Sequence, residues 1–255
     1  MKKLIIDLLK KKGFELIKKT RYNGETEFSI EELNYGLVLP NANYSPWAGD
    51  KDFMEIYNKI KNNTLVDIYR CFELWQLVEQ TQKLNGSSSI IEIGVWRGGT
   101  SAIMAQKLFH LKSKANMYLA DTFEGVVKVS EKDKLYSGGE HSDTSQQIVE
   151  DLLKNKVKYS NYKILKGIFP EQTEHLVPAG EVFGLCHIDV DVYESAKDII
   201  SWVWDKLIIG GVIVFDDYGF HTCTGITRLV NEQRNLKDRV ILHNLNGHAI
   251  MVKIG

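Results

Sequence analysis

Four acidic side chains directly follow short apolar runs, at three separate places in the sequence. These acids are Asp121, Asp189, Asp216 and Asp217. A single acid after a strand carries little information, because aspartate often caps helices and begins turns. Four acids at three strand ends are more informative, since ligands of open parallel sheets bind outside the carboxyl ends of the strands. The pattern therefore predicts a ligand site at one edge of a sheet.

Three of these acids form a candidate metal site. If the runs before Asp189 and before Asp216 and Asp217 are neighbouring strands, their ends lie ~4.8 Å apart. Carboxylates packed so closely repel one another unless a cation joins them or protons neutralise them. An all-oxygen set favours Mg²⁺, with Mn²⁺ or Ca²⁺ as alternatives, whereas zinc prefers histidine or cysteine. The other interpretation is that Asp191 and Asp217 are helix caps or structural acids.

A glycine-rich turn joins an apolar run to a helical pattern across residues 90–101. Glycines there let the backbone approach a bound ligand closely, although they could also serve strand–helix packing alone. A pyrophosphate site would have the spacing GxGxxG, but here Glu92 precedes Gly94 and the next glycine is Gly98. A carboxylate at this place suits a cationic ligand better than a pyrophosphate. We therefore prefer S-adenosylmethionine to NAD, with Asp121 predicted to bind its ribose diol.

Strand-like and helix-like runs alternate along the chain, which predicts an α/β fold with a mostly parallel sheet covered on both faces. The last two strands are joined by a short turn and should pair antiparallel. The predicted strands are residues 90–93, 115–120, 162–165, 183–188, 212–215, 239–242 and 248–253. The predicted helices begin with one capped by Thr64, with Asp67 as its capping-box acid, and continue over residues 145–156, 195–207 and 224–234. This is a Rossmann-like arrangement.

The first part of the chain differs from the rest. Residues 1–20 predict an amphipathic helix for a membrane-surface or subunit contact, or simply a first helix, and residues 21–63 are predicted to be irregular. We divide the chain into an extension for substrate or oligomer contact (1–63) and a catalytic domain (64–255). The aromatic loop Asn43–Trp47 is predicted either to line the acceptor pocket or to pin itself to the core. The polar loop 126–143 is the second candidate for the acceptor pocket.

Composition excludes several classes of function. A net charge of −1 offers no basic field for nucleic acid. No apolar stretch reaches the ~18 residues that span a bilayer. Asp7 interrupts the apolar part of the N-terminus, so a signal peptide is not expected. The three cysteines lack a CxxC pair, and Cys71 and Cys186 have apolar surroundings, so we expect buried thiols and a cytoplasmic protein.

Four motifs, in matching order, resemble the macrocin O-methyltransferase family. The similarity runs from about residue 64 to the end. The motifs are Glu92–Gly99, Asp121–Gly125, Asp189–Ser195 and Asp216–Gly219. Members are class I, S-adenosylmethionine-dependent enzymes that need a divalent metal and methylate sugar hydroxyls. The resemblance implies the class I methyltransferase fold and Mg²⁺ or Mn²⁺ as the metal. It also implies a glycoside or other small-molecule acceptor and a homodimer or larger assembly.

The resemblance also implies individual roles. Asp189, Asp216 and Asp217 would ligate the metal, Asp191 would orient the site, and His141 or else Asp189 would be the general base. The implied cofactor-binding residues are Thr64, Glu92, Gly94, Trp96, Arg97, Gly98, Thr100, Ser101, Asp121, Thr122, Phe123, Gly167 and Asp189. The alternatives are a methyltransferase for catechol-like acceptors, an NAD-dependent oxidoreductase and a non-catalytic binding module.

Overall fold

The computed structural model describes residues 2–14, 26–38 and 42–255. Contacts divide the chain into two compact units, Met1–Asn43 and Tyr44–Gly255. The first unit contains helix α1 (Lys2–Lys11) and an antiparallel hairpin of β1 (Phe28–Ile30) and β2 (Leu33–Tyr35). The predicted helix over 1–20 therefore ends at Lys11, and residues 15–20 lie outside the described part of the chain. The prediction of irregular structure across 21–63 missed this hairpin.

The second unit is built on a seven-stranded sheet. In sequence order the strands are β3 (Ser89–Ile93), β4 (Met117–Asp121), β5 (Tyr162–Lys166), β6 (Phe183–Ile188), β7 (Leu207–Phe215), β8 (Arg239–His243) and β9 (Ala249–Lys253). Their spatial order is β5-β4-β3-β6-β7-β9-β8, with β9 antiparallel to both of its neighbours and the other pairs parallel. This confirms the predicted mostly parallel sheet with an antiparallel terminal strand. Because strand order reverses between β3 and β6, a crevice opens there.

Helices cover both faces of the sheet. They are α2 (Lys51–Ile60), α3 (Ile68–Leu84), α4 (Gly99–His110), α5 (Gln146–Asp151, continued by a π turn to Val157), α6 (Tyr193–Val203) and α7 (Thr224–Gln233). Helices α2, α3, α4 and α5 contribute to one apolar core, and α6 and α7 contribute to the core on the opposite face. Every residue of β3 and β6 is buried, which explains their nearly continuous apolar sequence.

Two predictions near the start of this unit were wrong. Helix α2 lies within the stretch predicted to be irregular, and it buries Phe53, Ile56 and Ile60 in the core of the second unit. The contact division falls after Asn43, and the functional division into residues 1–63 and 64–255 stays a prediction. Helix α3 is capped by Asp67, which accepts the backbone N–H groups of the helix's second and third residues, and not by Thr64. Thr64 lies before the helix, where its hydroxyl accepts the Val66 N–H at 3.0 Å.

Candidate active site

A pocket of about 270 Å³ opens at the carboxyl ends of β3, β4, β6 and β7, at the predicted edge of the sheet. Its wall also includes residues 63–66 before α3, the loop between β4 and α5, and the loop after β7. Acids at three of these strand ends thus share one cavity: Asp121, Asp189, Asp216 and Asp217 all line it. The four acids singled out from the sequence are brought together, as predicted.

The turn after β3 passes directly under the end of β6. Gly94 has a φ of +88°, and a Cβ atom there would lie 1.7 Å from the backbone carbonyl oxygen of Asp189. Both the close approach to Asp189 and the positive φ therefore exclude a side chain at Gly94. Gly99 begins α4 against the backbone of Asn63, whose carbonyl oxygen accepts its N–H at 2.9 Å. The glycines therefore serve close packing between chain segments, and this packing brings Thr64 and Thr100 to the pocket wall.

Asp121 organises the turn as well as facing the pocket. Its carboxylate accepts the backbone N–H groups of Val95, Trp96 and Phe123 at 2.7, 2.8 and 2.6 Å. Burial raises the pKa of Asp121, although these three donors act in the opposite direction. The carboxylate thus holds the glycine turn against the end of β4 while remaining at the pocket surface. Thr122 and Gly167 line the pocket beside it.

Glu92 does not face the pocket, so its predicted contact with a cationic ligand is corrected. Its side chain is fully buried, Oε1 lies 2.8 Å from His187 Nδ1, and the Ser101 hydroxyl donates to Oε2. Side chains alternate along a strand, and Ile91 and Ile93 face the α6–α7 layer while Glu92 faces α4. Glu92 and Ser101 are therefore internal partners of each other, and neither lines the cavity.

Three other predicted cofactor residues also lie outside the pocket wall. Arg97 donates to the backbone and carboxylate of Asp143 at 2.9 and 2.6 Å, and its guanidinium covers the Trp96 ring. Gly98 caps α4 against Val149, and Phe123 packs on the core beneath the turn. Trp96 does line the pocket, and its indole N–H also donates to Asp143 at 2.8 Å. Arg97 and Trp96 thus fasten the loop between β4 and α5 to the glycine turn.

The candidate metal ligands are Asp189, Asp216 and Asp217, whose ligand atoms lie within 4.8 Å of one another. Burial, followed by the charges of the neighbouring carboxylates, raises the pKa of both Asp189 and Asp217 well above the ordinary range. Within the described ranges no donor reaches the Asp189 carboxylate, while Asp217 accepts one backbone N–H, from Asp191 at 2.9 Å. Buried carboxylates with so few donors need either a cation or protons to neutralise them, and an all-oxygen set fits a hard divalent ion.

Asp216 differs from the other two because basic side chains surround it. His248 Nε2 lies 2.8 Å from its Oδ1, His187 Nε2 lies 3.5 Å from the same oxygen, and Arg70 contacts Oδ2. Burial would raise the pKa of Asp216, but these neighbours hold it below the ordinary value. His187 is affected in turn: burial disfavours its charge, yet Asp216 and Glu92 raise its pKa to about 10.

Three further pocket residues, from the loops after β4 and β7, carry hydroxyl, imidazole or aromatic groups. The Tyr136 hydroxyl donates to Asp191, and burial followed by this carboxylate raises the pKa of Tyr136. His141, predicted as the base, lies at the pocket with a φ of +62° and an exposed side chain. Phe220 also lines the pocket and is 38% exposed. Residues 126–143 therefore contribute to the pocket wall, and their contact with an acceptor stays a prediction.

The aromatic loop Asn43–Trp47 does not contribute in the way first proposed. Trp47 packs edge-on against Tyr69 and Phe72, with ring centroids 4.9 and 6.2 Å apart, and neither it nor Tyr44 lines the pocket. The alternative stated above, that Trp47 pins the loop to the core, is the correct one for this residue.

Sequence reasoning missed several pocket residues. Arg70, Phe220 and Cys223 line the cavity but were not predicted to do so, and Tyr136 was covered only through the loop 126–143 as a whole. Phe220 and Cys223 follow the Asp216-Asp217 pair within a few positions, which was an available signal. Arg70 belongs to the helical stripe of α3, and no periodicity separates a site arginine from a surface one.

A family model described as Macrocin-O-methyltransferase (TylF) matches residues 60–250. The chain belongs to this family. It is 28% identical over 170 residues to 8-demethyl-8-(2,3-dimethoxy-alpha-L-rhamnosyl)-tetracenomycin-C 4'-O-methyltransferase of Streptomyces olivaceus, covering 63% of this chain and 64% of that one. It is 28% identical over 168 residues to demethyldecarbamoylnovobiocin O-methyltransferase of Streptomyces niveus, covering 61% of this chain and 62% of that one. The matches thus span less than two thirds of both relatives.

Solved structures agree on the fold. The O-methyltransferase NovP superposes with a TM-score of 0.64 at 24% identity, covering 75% of this chain and 82% of that chain. The calicheamicin methyltransferase CalS11 superposes with a TM-score of 0.59 at 14% identity, covering 84% and 95%. The class I methyltransferase fold is therefore established. In the part of the chain that the structure describes, no helix is long and apolar enough to cross a membrane.

Proposed function

We propose that this protein transfers a methyl group from S-adenosylmethionine to a hydroxyl of a sugar or glycoside, with Mg²⁺ or Mn²⁺ bound at Asp189, Asp216 and Asp217. The observation that carries the proposal is the pairing of two half-sites in one pocket. One half is the glycine turn with Asp121, and the other is a carboxylate cluster in which Asp189 and Asp217 have few donors. Family membership supports the same reaction.

The glycine turn is the proposed cofactor half. Thr64, Gly94, Trp96, Thr100, Asp121, Thr122 and Gly167 are the predicted cofactor residues that line the pocket on this side. Asp121, held at the end of β4, would accept hydrogen bonds from a ribose diol. Because the activated methyl group belongs to the cofactor, the protein's task is to position it and to align the acceptor.

The carboxylate cluster is the proposed metal half. A divalent cation bound there would lower the free energy of a developing alkoxide on the acceptor. Asp189 and Asp217 offer the carboxylate oxygens that are least used by protein donors, and Asp216 is held in place by its cationic neighbours. No transfer of the hydroxyl proton to these buried ligands is required, since His141 lies at the same pocket.

His141 is our candidate for the general base. Its side chain is exposed to solvent at the pocket, so a proton taken from the acceptor hydroxyl can leave to bulk water. Asp189 is the alternative base. The Asp191 carboxylate already accepts the Tyr136 hydroxyl, which fits the orienting role that the family resemblance implies for Asp191.

A sugar acceptor is favoured by the relatives and by the pocket. The relatives named above methylate a rhamnosyl 4' position and demethyldecarbamoylnovobiocin, and a further one is a mycinamicin III 3''-O-methyltransferase. In this chain, Phe220 presents a partly exposed ring beside polar groups of the pocket. An aromatic face can pack on the apolar face of a sugar ring while the metal half engages its hydroxyls.

A panel assay tests this function. Purified protein would be incubated with labelled S-adenosylmethionine and a series of hexosyl and deoxyhexosyl glycosides, a catechol and no acceptor, each with Mg²⁺ or with EDTA. We expect label on a glycoside only when Mg²⁺ is present. Transfer to the catechol but not to any glycoside would support the catechol alternative instead. Bound nicotinamide in the purified protein, without adenosylhomocysteine, would support the oxidoreductase alternative.

We also propose a cytoplasmic protein that assembles as a homodimer or larger homo-oligomer. Three free, buried cysteines are compatible with a reducing compartment. Size-exclusion chromatography with light scattering gives the assembly directly, and a monomer at micromolar concentration would contradict this part of the proposal.

A further inference from the structure

Two fully buried histidines flank Asp216 from the strands on either side of it. His187 lies on β6 and His248 immediately precedes β9, and β7, which leads to Asp216, runs between these strands. His248 Nε2 lies 2.8 Å from Asp216 Oδ1, and His187 Nε2 faces the same oxygen at 3.5 Å. Neither histidine lines the pocket, so neither can touch a substrate.

The two histidines have different second partners. His248 Nδ1 lies 2.6 Å from Glu73 Oε2, on α3, and Asn244 donates to that same oxygen at 2.9 Å. This branch leads from Asp216 away from the pocket, to a glutamate whose side chain is 22% exposed.

The second partner of His187 lies on the cofactor side. His187 and Glu92 are register partners on the neighbouring strands β6 and β3, and their side chains meet at 2.8 Å. Glu92 also accepts the hydroxyl of Ser101, in the first turn of α4. The chain of contacts Ser101–Glu92–His187–Asp216 therefore runs beneath the pocket from the glycine turn to the metal half.

Removing one member of such a network leaves a buried carboxylate without its partner, which is costly in a water-free interior. The carboxylate then changes its rotamer or recruits water. Groups that hold a metal ligand in its binding orientation commonly change metal affinity when they are mutated. Mutation of each histidine should therefore affect those parts of the pocket to which its own partners belong.

We infer that His248 and His187 are positioning residues for different parts of the pocket. His248 orients Asp216 in the metal half only. His187 orients Asp216 and, through Glu92, also the cofactor turn. This inference rests on the proposed function, since it takes the aspartates as the metal site and the glycine turn as the cofactor site. It explains why two buried histidines occur on one sheet face beneath an all-carboxylate site.

The test compares His248→Phe with His187→Phe in the full-length protein. Mn²⁺ affinity is read from the free-ion signal in electron paramagnetic resonance, and adenosylhomocysteine affinity is read by calorimetry. We expect both variants to bind Mn²⁺ about 10–100-fold more weakly. Adenosylhomocysteine affinity should fall only in His187→Phe. His175→Phe is the control, because His175 is an exposed histidine in the short turn Glu174–Leu176, does not line the pocket and should change neither affinity.

The variants His248→Gln and His187→Gln keep an amide donor and should restore part of the lost affinity. They also serve if a phenylalanine variant fails to fold, which thermal unfolding would show. Unchanged Mn²⁺ affinity in folded variants of both histidines would overturn the inference, as would an equal loss of both ligands in both variants. If the unmodified protein binds neither Mn²⁺ nor adenosylhomocysteine, the proposed function itself fails and the inference falls with it.

Discussion

The cofactor half and the metal half of the pocket differ in how many hydrogen-bond donors the protein supplies to their buried carboxylates. In the cofactor half, the Asp121 carboxylate accepts three backbone N–H groups, all within 2.8 Å. In the metal half, Asp189 accepts none from the described residues and Asp217 accepts one. The carboxylate of the first half thus has its donors within the protein, whereas those of the second half have few, which is why we propose a cation there.

This difference bears on how each half responds to mutation. A carboxylate that organises its own backbone should matter for the shape of the site, and its loss should weaken cofactor binding. A carboxylate without donors raises the free energy of the empty protein, so its loss should matter chiefly when a cation is bound. The predictions that follow test this contrast, and they are ordered from the largest expected effect to the smallest.

The largest effect is expected for Asp217→Asn. Asparagine has nearly the same size and its amide oxygen can still accept the Asp191 N–H, but one ligand charge is lost. Mg²⁺-stimulated methyl transfer should fall at least about 100-fold. Adenosylhomocysteine affinity, measured by calorimetry, should change less than about twofold. Asp151→Asn, on the exposed surface of α5, is the control. An equal loss of transfer and cofactor affinity would show that the two halves are not separate.

Asp121→Asn should produce the converse result. The asparagine places an NH₂ group where one carboxylate oxygen of Asp121 accepts backbone N–H groups. It also removes the negative charge that strengthens these hydrogen bonds. Loss of charged hydrogen bonds worth about 1.5–3 kcal/mol predicts a fall in adenosylhomocysteine affinity of roughly 10–100-fold. Mn²⁺ affinity should stay unchanged. If Mn²⁺ affinity fell as much as cofactor affinity, the contrast drawn above would not hold.

Phe220→Ala tests the acceptor side, with an intermediate effect. The KM for a glycoside accepted by the unmodified protein should rise about 3–10-fold, the range expected for one aromatic contact. The kcat and the adenosylhomocysteine affinity should stay the same, and Phe220→Tyr should retain the original KM. Phe109→Ala serves as the control because Phe109 is exposed on α4 and lies outside the pocket. A lower kcat with no change in KM would assign Phe220 to another role.

The smallest effect concerns the scaffold beneath the cofactor half. Glu79 on α3 bonds Lys107 on α4 at 2.6 Å and Lys83 at 2.7 Å, and these bonds, Lys107 first, lower the pKa of Glu79 to about 2. A lowered pKa means that the stabilisation is present above the ordinary value near 4.5 and is lost as the pH falls toward 2. Glu79→Gln should therefore reduce the free energy of unfolding by less than about 1 kcal/mol at pH 7.

Urea denaturation at several pH values measures this effect. The difference between Glu79→Gln and the unmodified protein should shrink below pH 4.5 and vanish near pH 2. Glu55→Gln, which removes an exposed pair with Lys59 on α2, is the matched control and should have a smaller effect. A difference that persisted at low pH would mean that Glu79 acts through packing rather than through its charge.

Much of the fold and part of the site could be predicted from the sequence. Strand periodicity and the strand-end acids depend on near neighbours in the chain, and parallel strands bring their carboxyl ends to one edge wherever they lie. Asp121, Asp189, Asp216 and Asp217 were therefore predicted to share a site, and they line one pocket. Residues 51–60 were misjudged because nearby glycines and prolines outweighed the helical spacing of Phe53, Ile56 and Ile60.

The directions of individual side chains were decided only by the tertiary structure. Glu92 lies on the expected strand, but its partner His187 is 95 positions away, on the strand that pairs with its own. Tyr136 reaches Asp191 across 55 positions, through a loop without periodicity. Local sequence determines where a strand ends and which residue types gather there. Which of them face a ligand depends on contacts between distant segments, because a buried charge turns toward whatever partner the packed structure supplies.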